Sequence, residues 1–225
     1  MSERILILGG TKEAAELATL LTAEGHDVTT SLAGRTKEPK PLDGKVRTGG
    51  FGGVDGLVGW IEDYKIDRLI DATHPFAQNI SKNAQAAAQK TNVTFVVKQR
   101  LPWQRQNGDN WIDVADLDAA KDIIPQNARV LLALGSQHIK NFAEREDVHF
   151  LIRMIDPPTE HLPFKIHTLV FQRPSPDWKL EADMLKEHKI SHIVCRNSGG
   201  PGAYAKIEAA RNLRIPVIMI DRSVP

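Results

Sequence analysis

One junction near the start constrains the fold of this chain more than any other feature. The apolar run Ile5-Leu6-Ile7-Leu8 ends in the turn Gly9-Gly10-Thr11, and a helix-like run beginning Lys12-Glu13-Ala14-Ala15-Glu16-Leu17 follows at once. Strands that feed helices through glycine turns are how α/β folds bring backbone N–H groups up to a phosphate. Glycine also tolerates positive φ, so a tight turn without a ligand would account for the same residues.

The pattern recurs. Strands are expected over 5–8, 28–32, 45–48, 69–70 and 94–97, and helices over 12–24, 54–64 and 77–91. In the first helix Ala14, Leu17, Ala18 and Leu21 share a face, and Gly25 stands where a helix-ending glycine belongs. In the third, Ala84, Ala86, Ala87 and Ala88 offer a small surface for close packing on a sheet. Residues 98–110, with Pro102, Trp103 and Gly108, read as a linker. Alternation then resumes, with strands over 111–114, 130–134, 150–154, 166–171, 193–195 and 217–220 and helices over 117–124, 139–143, 179–188 and 203–212. The expected fold is α/β: two Rossmann-like domains with mainly parallel sheets and a cleft between them, a dinucleotide-binding domain over 1–98 and a substrate domain over 99–225.

Bulk properties remove several classes. The 225 residues carry a formal net charge of +1, which supplies no field for nucleic acid. No run approaches the ~18 apolar residues of a membrane helix. The N-terminus shows no signal-peptide pattern, and the single cysteine, Cys195, forms no internal disulfide, so a cytoplasmic location is expected. His188 and His192 are four apart, but helix breaks between them, and no cysteine pair exists, so no metal site is expected.

The end of the second strand reports the nucleotide. An acid there would bind ribose hydroxyls; Ser31, Gly34, Arg35 and Thr36 suit a 2′-phosphate. The expected cofactor is NADPH, with NADH as the alternative. The cluster Gly49-Gly50-Phe51-Gly52-Gly53 lets backbone approach a ligand, or forms a turn and nothing more. In Asp71-Ala72-Thr73-His74-Pro75-Phe76-Ala77, Thr73 and His74 stand where a strand end meets a ligand, and His74 is a candidate acid. The plainer reading makes Thr73 a helix cap with Pro75 in the first turn. In the second half, Leu134-Gly135-Ser136-Gln137, Arg153, and Arg196-Asn197-Ser198-Gly199-Gly200 with Tyr204 and Lys206 fall at strand ends and suit substrate carboxylates, or serve as turns and ion pairs.

These turns, in this order, resemble the precorrin-6A reductase family of cobalamin biosynthesis, including its cobalt-precorrin-6A branch. Leu8-Gly9-Gly10-Thr11 with Glu13-Ala14, Ser31 to Thr36, Gly49 to Gly53, Asp71 to Ala77, Asn197-Ser198-Gly199-Gly200 and Ala205-Lys206 with Glu208 to Arg211 carry the likeness. It implies hydride transfer from a nicotinamide cofactor to a macrocycle C=C bond and protonation of the neighbouring carbon. It also implies cofactor contacts at Gly9, Gly10, Thr11, Glu13, Ser31, Gly34, Arg35, Thr36, Gly50, Phe51, Gly52, Thr73 and His74. Substrate contacts would fall at Phe76, Gly135, Gln137, Arg153, Arg196, Asn197, Ser198, Gly199, Gly200, Tyr204 and Lys206. Two residues depart from the family pattern: Ala15 stands where an arginine is common, and Arg196 where a lysine is. An arginine is a poor proton donor, which leaves water, Tyr204 or His74. Alternatives are a cobalt-precorrin-6A reductase using NADH or NADPH, another small NADP-dependent reductase, and a nucleotide sensor without chemistry. The short-chain reductase pair Tyr-x-x-x-Lys is missing, since Tyr204-Ala205-Lys206 has the wrong spacing.

Overall fold

A computed structural model describes residues 2–34 and 41–222, so Arg35 and Thr36 lie outside the described residues. The chain divides into two compact units, 1–100 and 101–225.

The first unit runs β1 (Arg4–Leu8), α1 (Lys12–Ala23), β2 (Asp27–Leu32), β3 (Lys45–Thr48), α2 (Val54–Asp63), β4 (Arg68–Asp71), α3 (Gln78–Thr91) and β5 (Thr94–Val97). Its strands are parallel in the order β3-β2-β1-β4-β5. The unbroken apolar run of β1 makes it the central strand, buried on both faces. Its residues alternate between faces. Ile5 and Ile7 meet Ala14, Ala18 and Leu21 of α1, while Leu6 and Leu8 meet Leu57 and Ile61 of α2 and Ala84, Ala87 and Ala88 of α3. Gly25, at φ +86°, follows the end of α1 as expected.

The second unit runs β6 (Trp111–Val114), α4 (Leu117–Asp122), β7 (Arg129–Ala133), α5 (Ser136–Ile139), β8 (His149–Met154), β9 (His167–Phe171), α6 (Trp178–Glu187), β10 (His192–Arg196), α7 (Ala205–Leu213) and β11 (Val217–Ile220). Its order is β6-β11-β10-β7-β8-β9, again all parallel. Leu131, Leu151, Ile193, Val217 and Met219 form one core with Leu185, Ile207 and Ala210 from the helices.

Three local expectations change. Thr73 does not cap a helix: α3 begins at Gln78 with Ala77 at its N-cap, and Pro75 stands outside it, because Asp71 captures the Thr73 hydroxyl at 2.6 Å. The helix expected over 139–143 starts earlier, at Ser136, and its later part tightens into the 3₁₀ turn Lys140–Phe142. Residues 101–110 are not a loose linker, for Trp103 is buried in the second core. Among the described residues no helix is long and apolar enough to cross a membrane.

Candidate active site

Open parallel sheets bind ligands outside the carboxyl ends of the strands, where the strand order reverses direction. In the first sheet that point lies between β1 and β4. The turns there are Gly9–Thr11 and Asp71–Ala77. Gly9 N–H donates to the Ser31 carbonyl at 2.9 Å. A Cβ on Gly9 would come within 2.8 Å of Thr30 Cγ2. Gly10 takes φ +104° and faces open space. Thr11 caps α1: its Oγ1 accepts from Ala14 N–H at 3.1 Å and donates to the Ala72 carbonyl at 2.8 Å. One side chain thus ties the helix N-terminus to the far side of the crevice. The first-turn N–H groups of α1 lack intrahelical acceptors and attract anions. Glu13, in that turn, pairs with Arg100 at 3.3 Å.

Asp71 closes the opposite wall. It is 2% exposed. Its Oδ1 accepts from Thr73 N–H at 3.0 Å and from the Thr73 hydroxyl, while Oδ2 is buried with no hydrogen-bond partner among the described residues. A buried carboxylate oxygen without a donor is costly, and a ligand hydroxyl or amide would satisfy it. His74 Nδ1 accepts from Phe76 N–H at 3.3 Å, which leaves the neutral ring's proton on Nε2. Its ring leans on Phe76 at 5.8 Å between centroids.

The tip of β2 is braced by a residue that no motif singles out. Arg47 stands across from Ser31 in the β2–β3 register. Its Nη1 donates to Ser31 Oγ at 2.7 Å and to the Gly49 carbonyl at 3.0 Å, and Nη2 donates to the Gly50 carbonyl at 3.0 Å. The guanidinium carbon lies 3.8 Å from the Phe51 ring centroid. Phe51 rests edge-on against Trp60 at 6.0 Å. Gly34 turns at φ +75°, and a Cβ there would come within 2.9 Å of Thr48 Cγ2, so the ends of β2 and β3 approach closely. Gly52 also takes positive φ into open space.

In the second sheet the reversal falls between β7 and β10. The turn after β7 holds Gly135, which is exposed, and Gln137, whose amide contacts His138 Nε2 at 2.7 Å. The turn after β10 is filled from within. Asn197 accepts from Trp103 N–H at 2.7 Å and donates to the Trp103 carbonyl at 3.1 Å. The Gly200 carbonyl accepts from Trp103 Nε1 at 2.7 Å. Gly199 takes φ +67°, and a Cβ there would overlap the Leu101 carbonyl. Arg222 donates to the carbonyls of Asn197 and Ser198. Arg196 is half-buried, which pushes its guanidinium below its ordinary range.

Lys206 is buried under the same tryptophan. Its Nζ donates to the Ala203 carbonyl at 2.7 Å and lies 4.8 Å from the Trp103 ring centroid. Burial lowers its pKa, and burial raises that of the neighbouring Cys195 thiol. Tyr204 packs edge-on against Trp103 at 5.7 Å and shares its hydroxyl with Arg211 Nη2 at 2.6 Å. Arg153 is held by Glu181: Nη1 reaches both carboxylate oxygens at 2.7 and 2.8 Å, with side-chain exposures of 6% and 2%. Arg196, Asn197, Ser198, Gly199, Gly200, Tyr204 and Lys206 thus share one cluster, whereas the charge of Arg153 is matched internally.

The sequence agrees with known proteins along its length. A family described as Precorrin-6x reductase CbiJ/CobK matches residues 4–225. A precorrin-6A reductase of Rhodobacter capsulatus is 44% identical over 220 residues, covering 97% of this chain and 88% of the relative. One of Rhodococcus erythropolis is 42% identical, covering 97% and 89%. A cobalt-precorrin-6A reductase of Priestia megaterium is 29% identical, covering 97% and 90%. A solved structure titled CobK precorrin-6A reductase superposes with TM-score 0.95 at 44% identity, over 100% of this chain and 90% of the other.

Proposed function

This chain belongs to the precorrin-6x reductase family, and on that premise we propose that it reduces precorrin-6A to precorrin-6B with NADPH. The observation that carries the proposal is the family match across residues 4–225, which includes every turn at both strand-order reversals. The cobalt-free substrate is preferred because identity is higher to relatives named for precorrin-6A than to those named for cobalt-precorrin-6A.

When bound, the cofactor supplies a hydride to one carbon of a macrocycle C=C bond; the neighbouring carbon takes a proton. The chain's part is to hold and orient. Gly9, Gly10 and Thr11 with the first turn of α1, including Glu13, would hold the pyrophosphate. Ser31, Gly34 and the Gly50-Phe51-Gly52 loop would hold the adenosine end, joined by Arg35 and Thr36. The absence of an acid at the tip of β2 among the described residues favours NADPH over NADH.

Thr73 and His74 would line the nicotinamide end of the first crevice, and Phe76 would contact the substrate. Because Nδ1 of His74 already accepts a backbone N–H, its Nε2–H serves as a hydrogen-bond donor and is a poor proton source. We therefore assign the proton to water, with His74 orienting. The substrate's carboxylates are assigned to Arg196, Ser198 and the Gly135–Gln137 turn, which flank the reversal in the second sheet. Asn197, Gly199, Gly200, Tyr204 and Lys206 shape that turn from behind through Trp103.

The test is anaerobic oxidation of NADPH by the purified chain with precorrin-6A, with NADH in parallel. Stoichiometric formation of a two-electron-reduced macrocycle, faster with NADPH, is expected. Turnover only with the cobalt-containing substrate would overturn the substrate assignment. Binding of NADPH without turnover on either macrocycle would overturn the reaction.

A further inference from the structure

We propose that Arg47 is the cation that receives the 2′-phosphate of the cofactor and so sets the preference for NADPH over NADH. This rests on the dinucleotide reading above and adds a residue to it. The argument begins with charge. Among the described residues the hydrogen-bond acceptors of the Arg47 guanidinium are neutral: Ser31 Oγ and the carbonyls of Gly49 and Gly50. No carboxylate forms an ion pair with it among the described residues. Burial lowers its pKa. Partly buried cations are ordinarily paired, and one balanced only by dipoles has an incentive to take up an anion.

Position supplies the second part. The tip of β2 is where the adenosine ribose sits in dinucleotide-binding α/β folds, and Ser31 is at that tip. Arg47 bonds to the Ser31 oxygen. Ser31 accepts in that bond, so its own O–H remains to donate, and the serine is 7% exposed. Guanidinium and hydroxyl together make a two-donor anion site with a fixed orientation. Phe51 fixes the plane of the guanidinium by stacking, and the Gly49 and Gly50 carbonyls fix its rotation. A lysine would keep the charge but lose the fork and the stack.

The experiment uses the full chain and the variants Arg47→Gln and Arg47→Lys, with folding checked by circular dichroism. Dissociation constants are measured for NADPH, NADH, 2′,5′-ADP and 5′-AMP. Arg47→Gln is expected to weaken NADPH and 2′,5′-ADP about tenfold to a hundredfold while NADH and 5′-AMP change less than about threefold. Arg47→Lys should fall between, and the salt dependence of NADPH binding should become shallower in Arg47→Gln. Equal losses for both dinucleotides would make Arg47 a brace of the glycine loop and nothing more, and unchanged NADPH affinity would remove it altogether; either overturns the proposal. If the unaltered chain binds NADPH no better than NADH, this proposal fails while the reductase reading stands. If it binds neither, the dinucleotide reading fails first.

Discussion

The strand-end turns of the two units look alike in sequence and are built in opposite ways. In the first unit Gly10 and Gly52 face open space, and Arg47 rests on neutral oxygens. In the second unit Gly199 is pressed against the Leu101 carbonyl, Asn197 spends both ends of its amide on Trp103, and Arg153 is matched by Glu181. A glycine-rich turn can therefore mean room for something outside the chain or room for the chain itself. Only the neighbours distinguish the two.

Substitutions can break this contrast, the most damaging first. Glu181→Ala leaves Arg153 buried without its partner and frees Ser175 N–H, and should cost about 3–5 kcal/mol in denaturant unfolding. A loss below about 1 kcal/mol would mean the pair is not closed from solvent as described. Gly199→Ala should cost about 2–4 kcal/mol, since it adds overpacking against Leu101 to an unfavourable φ. An unchanged unfolding midpoint would show that the turn is not filled by residues 101–103. Gly10→Ala pays only the conformational penalty, about 1–2 kcal/mol, because nothing lies within reach of its Cβ. Its main effect should be on NADPH affinity. Stability and affinity falling together in Gly199→Ala, with neither falling in Gly10→Ala, would reverse the contrast.

The smallest expected effect is at the opposite end of the second sheet, where Arg129, His149, His167 and His192 begin neighbouring strands. Arg129 Nη1 donates to His149 Nδ1 at 2.9 Å, so that nitrogen carries no proton and Nε2–H donates to Thr168 Oγ1 at 2.9 Å. Burial first, then Arg129, His167 and His188, hold its pKa below the ordinary 6.5. The unfolded chain therefore binds that proton more readily. The stability His149 contributes is present above 6.5 and is lost as pH falls through its lowered folded value. Unfolding midpoints measured from neutral to mildly acidic pH should decline, and more gently in His149→Gln. Identical slopes in parent and variant would remove His149 as a source.

Much of this is legible in the sequence. Short apolar runs and helices of period 3.6 are local signals, and they locate β1, α1, β5, β6 and β11 closely. What was not legible depends on partners far along the chain. Arg47 sits in a four-residue strand with no apolar pattern, and its importance arises from register with Ser31. Trp103 lies in a stretch that reads as a linker because Pro102 and Gly108 flank it; its anchor, Asn197, is 94 residues away. Thr73 reads as a cap from its place before a helix, yet Asp71, two residues back, outcompetes the helix for its hydroxyl. Asp71 itself stood in view within its motif, but only burial shows that Oδ2 is left without a partner.

The strand order also bears on how the polypeptide is made. All strands of the first sheet are drawn from residues 4–97, so that sheet can close while later residues are still being added. The second sheet cannot follow suit. Among the described residues its edge strand β6, at Trp111–Val114, pairs with β11 alone, at Val217–Ile220, and the Trp103 backbone waits for Asn197. For roughly a hundred residues of synthesis, at about 5–20 residues per second, an emerging apolar edge has no companion. Slowed or truncated translation within that interval would expose this half of the nascent chain to aggregation and to chaperone capture, and would spare the first half.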